Sequence, residues 1–113
     1  MEVKINVEKE FERQFRKLTK KYRSIIDDYE TFLNELEKDP YQGCSLGRGV
    51  RKVRMAIASK GKGKSGGARV ITYNLYQEED VIVIDLLTIY DKNEISNISD
   101  EFITYLLNER KNI

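Results

Sequence analysis

Residues 48–69 read RGVRKVRMAIASKGKGKSGGAR, a strand, a glycine-rich break and the start of a second strand. Within 50–58, Val53, Met55 and Ile57 take one side of an alternating pattern while Lys52, Arg54, Ala56 and Ala58 take the other. A period of two is the mark of a strand with one face on a core. Lys52 and Arg54 then project from the same face, roughly 6–7 Å apart along the strand. Lys60–Gly67 forms the tip of a hairpin too long to be a tight turn, and a second strand, about 68–76, carries Arg69 at its start. There the pattern is ambiguous. Arg69 shares its parity with Ile71, Tyr73 and Leu75, whereas Thr72 and Asn74 lie opposite. Either both faces of this strand are covered, or a bulge near Gly66 and Gly67 resets the register.

The same stretch holds eight cations (Arg48, Arg51, Lys52, Arg54, Lys60, Lys62, Lys64 and Arg69) and no acid, and no Asp or Glu occurs between Asp39 and Glu78. The whole chain carries only +1, so 12 cations face 19 acids elsewhere. A near-neutral total gives no general pull on polyanions, but one cationic face without opposing charge does, and a phosphate backbone is the ligand it suits.

Upstream, EVKINV (2–7) alternates as a half-buried strand. Phe11, Phe15, Leu18 and Tyr22 then fall on one helical face. Ser24 followed by Asp27 has the spacing of a capping box opening a second helix. Ile25, Ile26, Tyr29, Phe32, Leu33 and Leu36 make that helix's apolar stripe, which Asp39-Pro40 ends. The pair is either a short hairpin or one long kinked helix. Gly43, Gly47 and Gly49 mark a loop. Downstream, VIVIDLLTIY (81–90) is the most continuously apolar segment and reads as a central strand. Ser99 caps a last helix with Phe102, Ile103, Leu106 and Leu107 inward. The predicted class is α+β, a small, mainly antiparallel sheet with an N-terminal helical pair and a C-terminal helix, in the order β-α-α-β-β-β-α over one domain, 1–113.

Composition removes several functions. With 113 residues and 40% hydrophobic, the chain supports a single modest core. The lone Cys44 excludes a disulfide framework and fits a reducing compartment. The longest apolar run contains Asp85 and is far too short to span a bilayer, and the start, MEVKINVEKE, has no signal-peptide core. These features predict a cytoplasmic protein with no membrane contact. There is no histidine, which removes the commonest general base and zinc ligand, and no metal or other cofactor is expected.

Three constellations carry chemistry. GKGKSGG (61–67) is superficially like a phosphate-binding P-loop, but that pattern needs glycine at 58, where Ala58 stands, and a helix where a strand follows. A hairpin tip whose ammonium and backbone N–H groups hold phosphates is the remaining functional reading, against a merely solvated tip. The second constellation is Lys52, Arg54 and Arg69, with Tyr90 and Lys92 at the end of the next strand, which converge if these strands are neighbours. Clustered cations depress a lysine's pKa, so one can act as a general base while arginines stabilise a pentavalent phosphate. RNA brings its own nucleophile in the 2′-OH. Tyr90 or Tyr73 could stack on a base, against the plainer reading of core packing. The third is Asp85, either a buried acid or a strand residue that is exposed, bulged or paired with a basic neighbour.

RKVRMAIASKGKGKSGGARVITY (51–73), followed by LLTIYDKNEIS (86–96), resembles bacterial type II toxins of the RelE/HigB superfamily, the HigB-like branch above all. The shared features are the arginine-rich strand, the GKGK-x-GG-x-R hairpin and the L-x-IY-x-K-x-E strand end. The helical half, with KKY at 20–22 and a helix ending at Pro40, matches in pattern only. The resemblance implies a toxin of a toxin–antitoxin system, a ribosome-dependent endoribonuclease (an mRNA interferase) that cuts mRNA in the A site by 2′-OH attack. It implies a cognate antitoxin as partner, and operator DNA bound only through the toxin–antitoxin complex. By the same resemblance Lys52, Arg54, Arg69 and Lys92 are catalytic, and Arg51, Lys60, Lys62, Lys64 and Tyr90 bind RNA. Two positions depart from RelE, whose further arginine aligns on Asn93 and whose catalytic tyrosine aligns on Ile98 or its neighbours. A ParE-like gyrase inhibitor and a non-catalytic RNA-binding module share the expected fold and compete with the nuclease reading.

Overall fold

The computed structural model describes residues 1–110, and within them every side chain but those of Tyr76 and Gln77. Five strands form one sheet: β1 (Glu2–Val7), β2 (Cys44–Gly47), β3 (Val50–Met55), β4 (Ala68–Glu78) and β5 (Val81–Asp91). Three α-helices accompany them: α1 (Lys9–Lys21), α2 (Ile25–Lys38) and α3 (Asp100–Asn108). The spatial order is β1-β5-β4-β3-β2, with β1 parallel to β5 and every other pair antiparallel. The class is α+β, as the periodicities predict, with one strand more than they show. Cys44–Gly47, taken from its glycines as loop, pairs with β3 as a four-residue edge strand.

Both faces of the sheet are covered. Phe11 and Leu18 of α1 and Ile25, Phe32 and Leu36 of α2 pack on Val53, Met55, Ala68, Val70, Ile82, Ile84, Leu86 and Ile89. On the second face, Ile103 and Leu106 of α3 pack on Val50, Ile71, Leu87 and Tyr90. This settles the ambiguity in β4. Val70 serves the first core and Ile71 the second, so neither parity of that strand is free. The register shift lies further on than Gly66 and Gly67: Ile71 pairs with Thr88 but Thr72 with Leu86, leaving Leu87 as the extra residue. That bulge brings Leu87 to the second face beside Thr88 and passes Leu86 to the first.

The helical pair is two helices, not one. Tyr22 closes α1 in an extended conformation, its N–H still bonded to Leu18 O. The capping box at Ser24 does not form, because Ser24 itself is in the right-handed helical region and makes no side-chain cap bond. Its hydroxyl instead donates to Asp28 Oδ2 and accepts the Ser59 N–H, tying α2 to the short 3₁₀ turn Ala58–Lys60 that follows β3. Ser99, by contrast, caps α3 as expected, accepting the Phe102 N–H at 3.1 Å. Among the described residues no helix is long and apolar enough to cross a membrane.

Candidate functional site

Parity along β3 and its pairing with β4 set the site. Arg54 lies directly opposite Arg69, and Arg69 directly opposite Tyr90, so three side chains form a row across β3, β4 and β5. Directly opposed residues have Cβ atoms about 4.5–5.5 Å apart, and like charges so placed repel. Lys52 sits two residues back along β3, facing Cys44 of β2. Lys92 follows β5, held by its N–H bond to Gly67 O at 3.1 Å. α3 covers one end of this face, and the other end is open.

The opening is a cavity of about 640 Å³ whose lining includes Lys52, Arg54, Lys64, Arg69 and Lys92, together with Gln42, Cys44, Tyr90 and Ile95. Five cations line it and no carboxylate does. Lys52, Arg54 and Lys92 make no ion pair or side-chain hydrogen bond among the described residues, whereas Lys64 reaches Glu35 at 3.1 Å at the rim. The four residues expected to be catalytic are therefore brought together in one cavity.

Arg69 differs from its neighbours in being 6% exposed. Its Nη1 donates to Lys64 O and Ala68 O and its Nη2 to Ser65 O, each at 3.1 Å. Burial, then the opposing charge of Arg54, lowers its pKa below the ordinary arginine value, and a guanidinium remains charged across the physiological range. Tyr90 is 7% exposed. Burial raises its phenol above the usual tyrosine range, only partly offset by Arg69, so the hydroxyl keeps its proton. With so little of the ring uncovered, Tyr90 has no face to offer a base, and the expected stacking role is corrected to that of a cavity wall.

Of the other residues expected to bind RNA, Lys64 lines the cavity, whereas Arg51, Lys60 and Lys62 lie elsewhere. Arg51 points away, donating to Gln42 O at 3.2 Å and Gly43 O at 3.1 Å, and lines a different cleft with Tyr41 and Asn74. Lys62 is outside the cavity lining. Lys60 is corrected outright: its side chain is 7% exposed and its Nζ lies 2.8 Å from Asp91 Oδ1. Asp91, 1% exposed, is the residue that sequence reasoning passed over. Tyr22 donates its hydroxyl to Oδ2, the Asn93 N–H donates to Oδ1 at 3.0 Å, and Lys21 Nζ stands 3.7 Å from Oδ2. Burial pushes this carboxyl's pKa up, but the bonds from Lys60, Tyr22 and Asn93 outweigh burial and hold it at about 2. Its one signal in the sequence is its position, an acid closing a mostly apolar strand. Asp85 is buried and bonded to Arg110 Nε at 2.7 Å, which joins two readings the sequence kept apart. No protein-family model matches the chain.

Proposed function

We propose that this chain is a toxin of the RelE/HigB type, a ribosome-dependent endoribonuclease. The observation that carries the reading is the cavity's lining: five cations, from β3, β4, the hairpin tip and the residue after β5, with no acid among them. A recess lined by one sign of charge focuses its field on an entering anion. The α+β layout, two helices on one face of the sheet and one on the other, supports the resemblance carried by 51–73 and 86–96.

In this reading the phosphodiester sits between Arg54, Arg69 and Lys92. The ribose 2′-oxygen attacks the adjacent phosphorus, the P–O5′ bond breaks, and the products are a 2′,3′-cyclic phosphate and a 5′-hydroxyl. Lys52 takes the proton from the 2′-OH. Arg54 and Arg69 stabilise the added charge on the pentavalent phosphorus, and Lys92 returns a proton to the leaving oxygen. No step draws on the residues that the fold consumes, Arg51 and Lys60. The partners that follow are the ribosome with mRNA in its A site and a cognate antitoxin, with operator DNA bound through the complex.

Primer extension on mRNA translated in the presence of the purified protein tests the reading. Codon-positioned cuts are expected, lost in Arg54→Ala and in Lys52→Arg, since arginine keeps the charge but cannot accept the proton. Uncut mRNA with intact, folded protein would sink it, and DNA breaks in the presence of gyrase would turn it to the ParE-like alternative.

A further inference from the structure

The glycine-rich tip turns several of its polar groups inward, although residues 61–65 are exposed. Its lysine ammonium nearest β3 is buried on Asp91, and the carbonyls of Lys64 and Ser65 turn inward to Arg69. Gly66 and Gly67 close the tip on itself through N–H bonds to Lys62 O and Lys64 O, both 3.3 Å. Gly67 admits no side chain, since a Cβ there would lie 2.2 Å from Met55 O. The tip is thus folded around one guanidinium and locked at both ends, by Lys60 on Asp91 and by Gly67 O on the Lys92 N–H.

We infer that Lys60–Gly67 is a holder for Arg69, clasped by the Lys60–Asp91 pair, that leaves the Nε edge of the guanidinium as a fixed receptor for one oxyanion in the cavity. The donor inventory supports this. The three bonds to carbonyls all come from Nη1 and Nη2, and Nε has no partner among the described residues. Nε and Nη2 together form the edge that meets a phosphate with two parallel bonds. A guanidinium anchored through three backbone carbonyls cannot swing away, so little side-chain entropy remains to be lost when the anion arrives. Lys60 and Asp91 are positioning residues in this scheme, since neither lines the cavity. The inference rests on the cavity being a phosphate site, not on RNA being cut there.

The test uses the full chain and inorganic phosphate, followed by the arginine Nε–H resonances, with the Arg69 signal identified by its loss in Arg69→Lys. In the wild type that signal should exchange slowly with water and move on adding phosphate, whereas the Arg54 signal exchanges fast. In Lys60→Met/Asp91→Asn, which removes the buried pair together, the Arg69 signal should be lost to exchange and phosphate affinity should fall about tenfold, the effect of losing one good charge-assisted bond. Lys60→Arg should restore part of both, which a merely structural role does not require. A wild-type Arg69 signal that ignores phosphate overturns the inference without any variant, as does a double variant with unchanged signal and affinity. Phosphate captured as expected by a protein that cuts no mRNA would sink the nuclease reading alone. Cutting that survives in the double variant would sink the holder alone.

Discussion

Replacing Asp91 by Asn should be among the most damaging single changes outside the apolar core, and the structure sets its size. The carboxyl is 1% exposed and held at about 2 against an ordinary 3.8. At about 1.4 kcal/mol per unit, the depressed value corresponds to about 2 kcal/mol of folding stability. Because the folded value is the lower one, this contribution is fully present above the ordinary value near 3.8 and is lost as the pH falls through about 2. Asn keeps an acceptor for Tyr22 and Asn93 but leaves the Lys60 ammonium buried without its counter-charge, and breaking a buried pair from one side costs about 3–5 kcal/mol. The total expected at pH 7 is about 3 kcal/mol, at the low end because two hydrogen bonds survive. That corresponds to a fall in Tm of roughly 10 °C for a chain of this size. Urea denaturation of both proteins from pH 2 to pH 7 is the assay. The gap between them should be widest at neutral pH and close as the acid limit is approached. A variant within about 1 kcal/mol of wild type at pH 7, or a gap that does not change with pH, would show that Asp91 is not the charge holding the tip to the end of α1.

Asp85→Asn should behave oppositely. Burial, with Glu8 adding to it against the opposing Arg110, raises this carboxyl above its ordinary value, so its contribution to stability is lost as the pH rises through the folded value. Because Asn removes the counter-charge that Asp85 offers the Arg110 guanidinium, the variant should lose stability, but less at pH 7 than at pH 4, and a loss that grows from pH 4 to pH 7 would contradict the assignment. Gly67→Ala should cost more than about 2 kcal/mol, because its Cβ meets backbone at 2.2 Å, whereas Gly63→Ala, in open space at φ 62, should cost about 1 kcal/mol. Equal thermal melts for the two would remove the packing argument. In binding to single-stranded RNA, Lys92→Ala should lower the salt slope by about 0.7 while Lys60→Met leaves it unchanged, since only the first cation is free to release counterions.

The layout of the fold was legible wherever a period was sustained. The stripes of α1 and α2 and the alternation in β3 place Phe11, Phe32, Val53 and Met55 in the first core, where they are found. β2 was not legible, because Cys44, Ser45, Leu46 and Gly47 contain one large apolar residue and no alternation to detect. The bulge at Leu87 was hidden for the opposite reason. VIVIDLLTIY is apolar at almost every position, so a change of parity within it leaves no trace until β4 is laid alongside. Ser24 failed as a cap because a nearer partner won: the hydroxyl that would bond its own helix is engaged by Asp28 and Ser59.

For the site, sequence displays charge but not which charge meets which. The acid-free window from 40 to 77 is a fact about the chain, and three-dimensional neutrality is decided by acids outside it. Asp91 shares its parity with Ile89, and Glu35 rides on α2, so both serve the side of the sheet where the helical pair packs. Lys60 turns towards that side and meets Asp91, and Lys64 reaches Glu35 from the cavity rim. Lys52, Arg54 and Lys92 open onto the second face, where the covering element α3 contributes no acid to the cavity lining. Their repulsion is therefore not relieved by the protein. Arg54 and Arg69, directly opposed across two strands, make it worst. Three inward carbonyls offset part of that cost at Arg69, and nothing among the described residues offsets it at Arg54. An arrangement that retains such repulsion in the free protein gains most when an anion enters, and the gain is largest at the two opposed arginines.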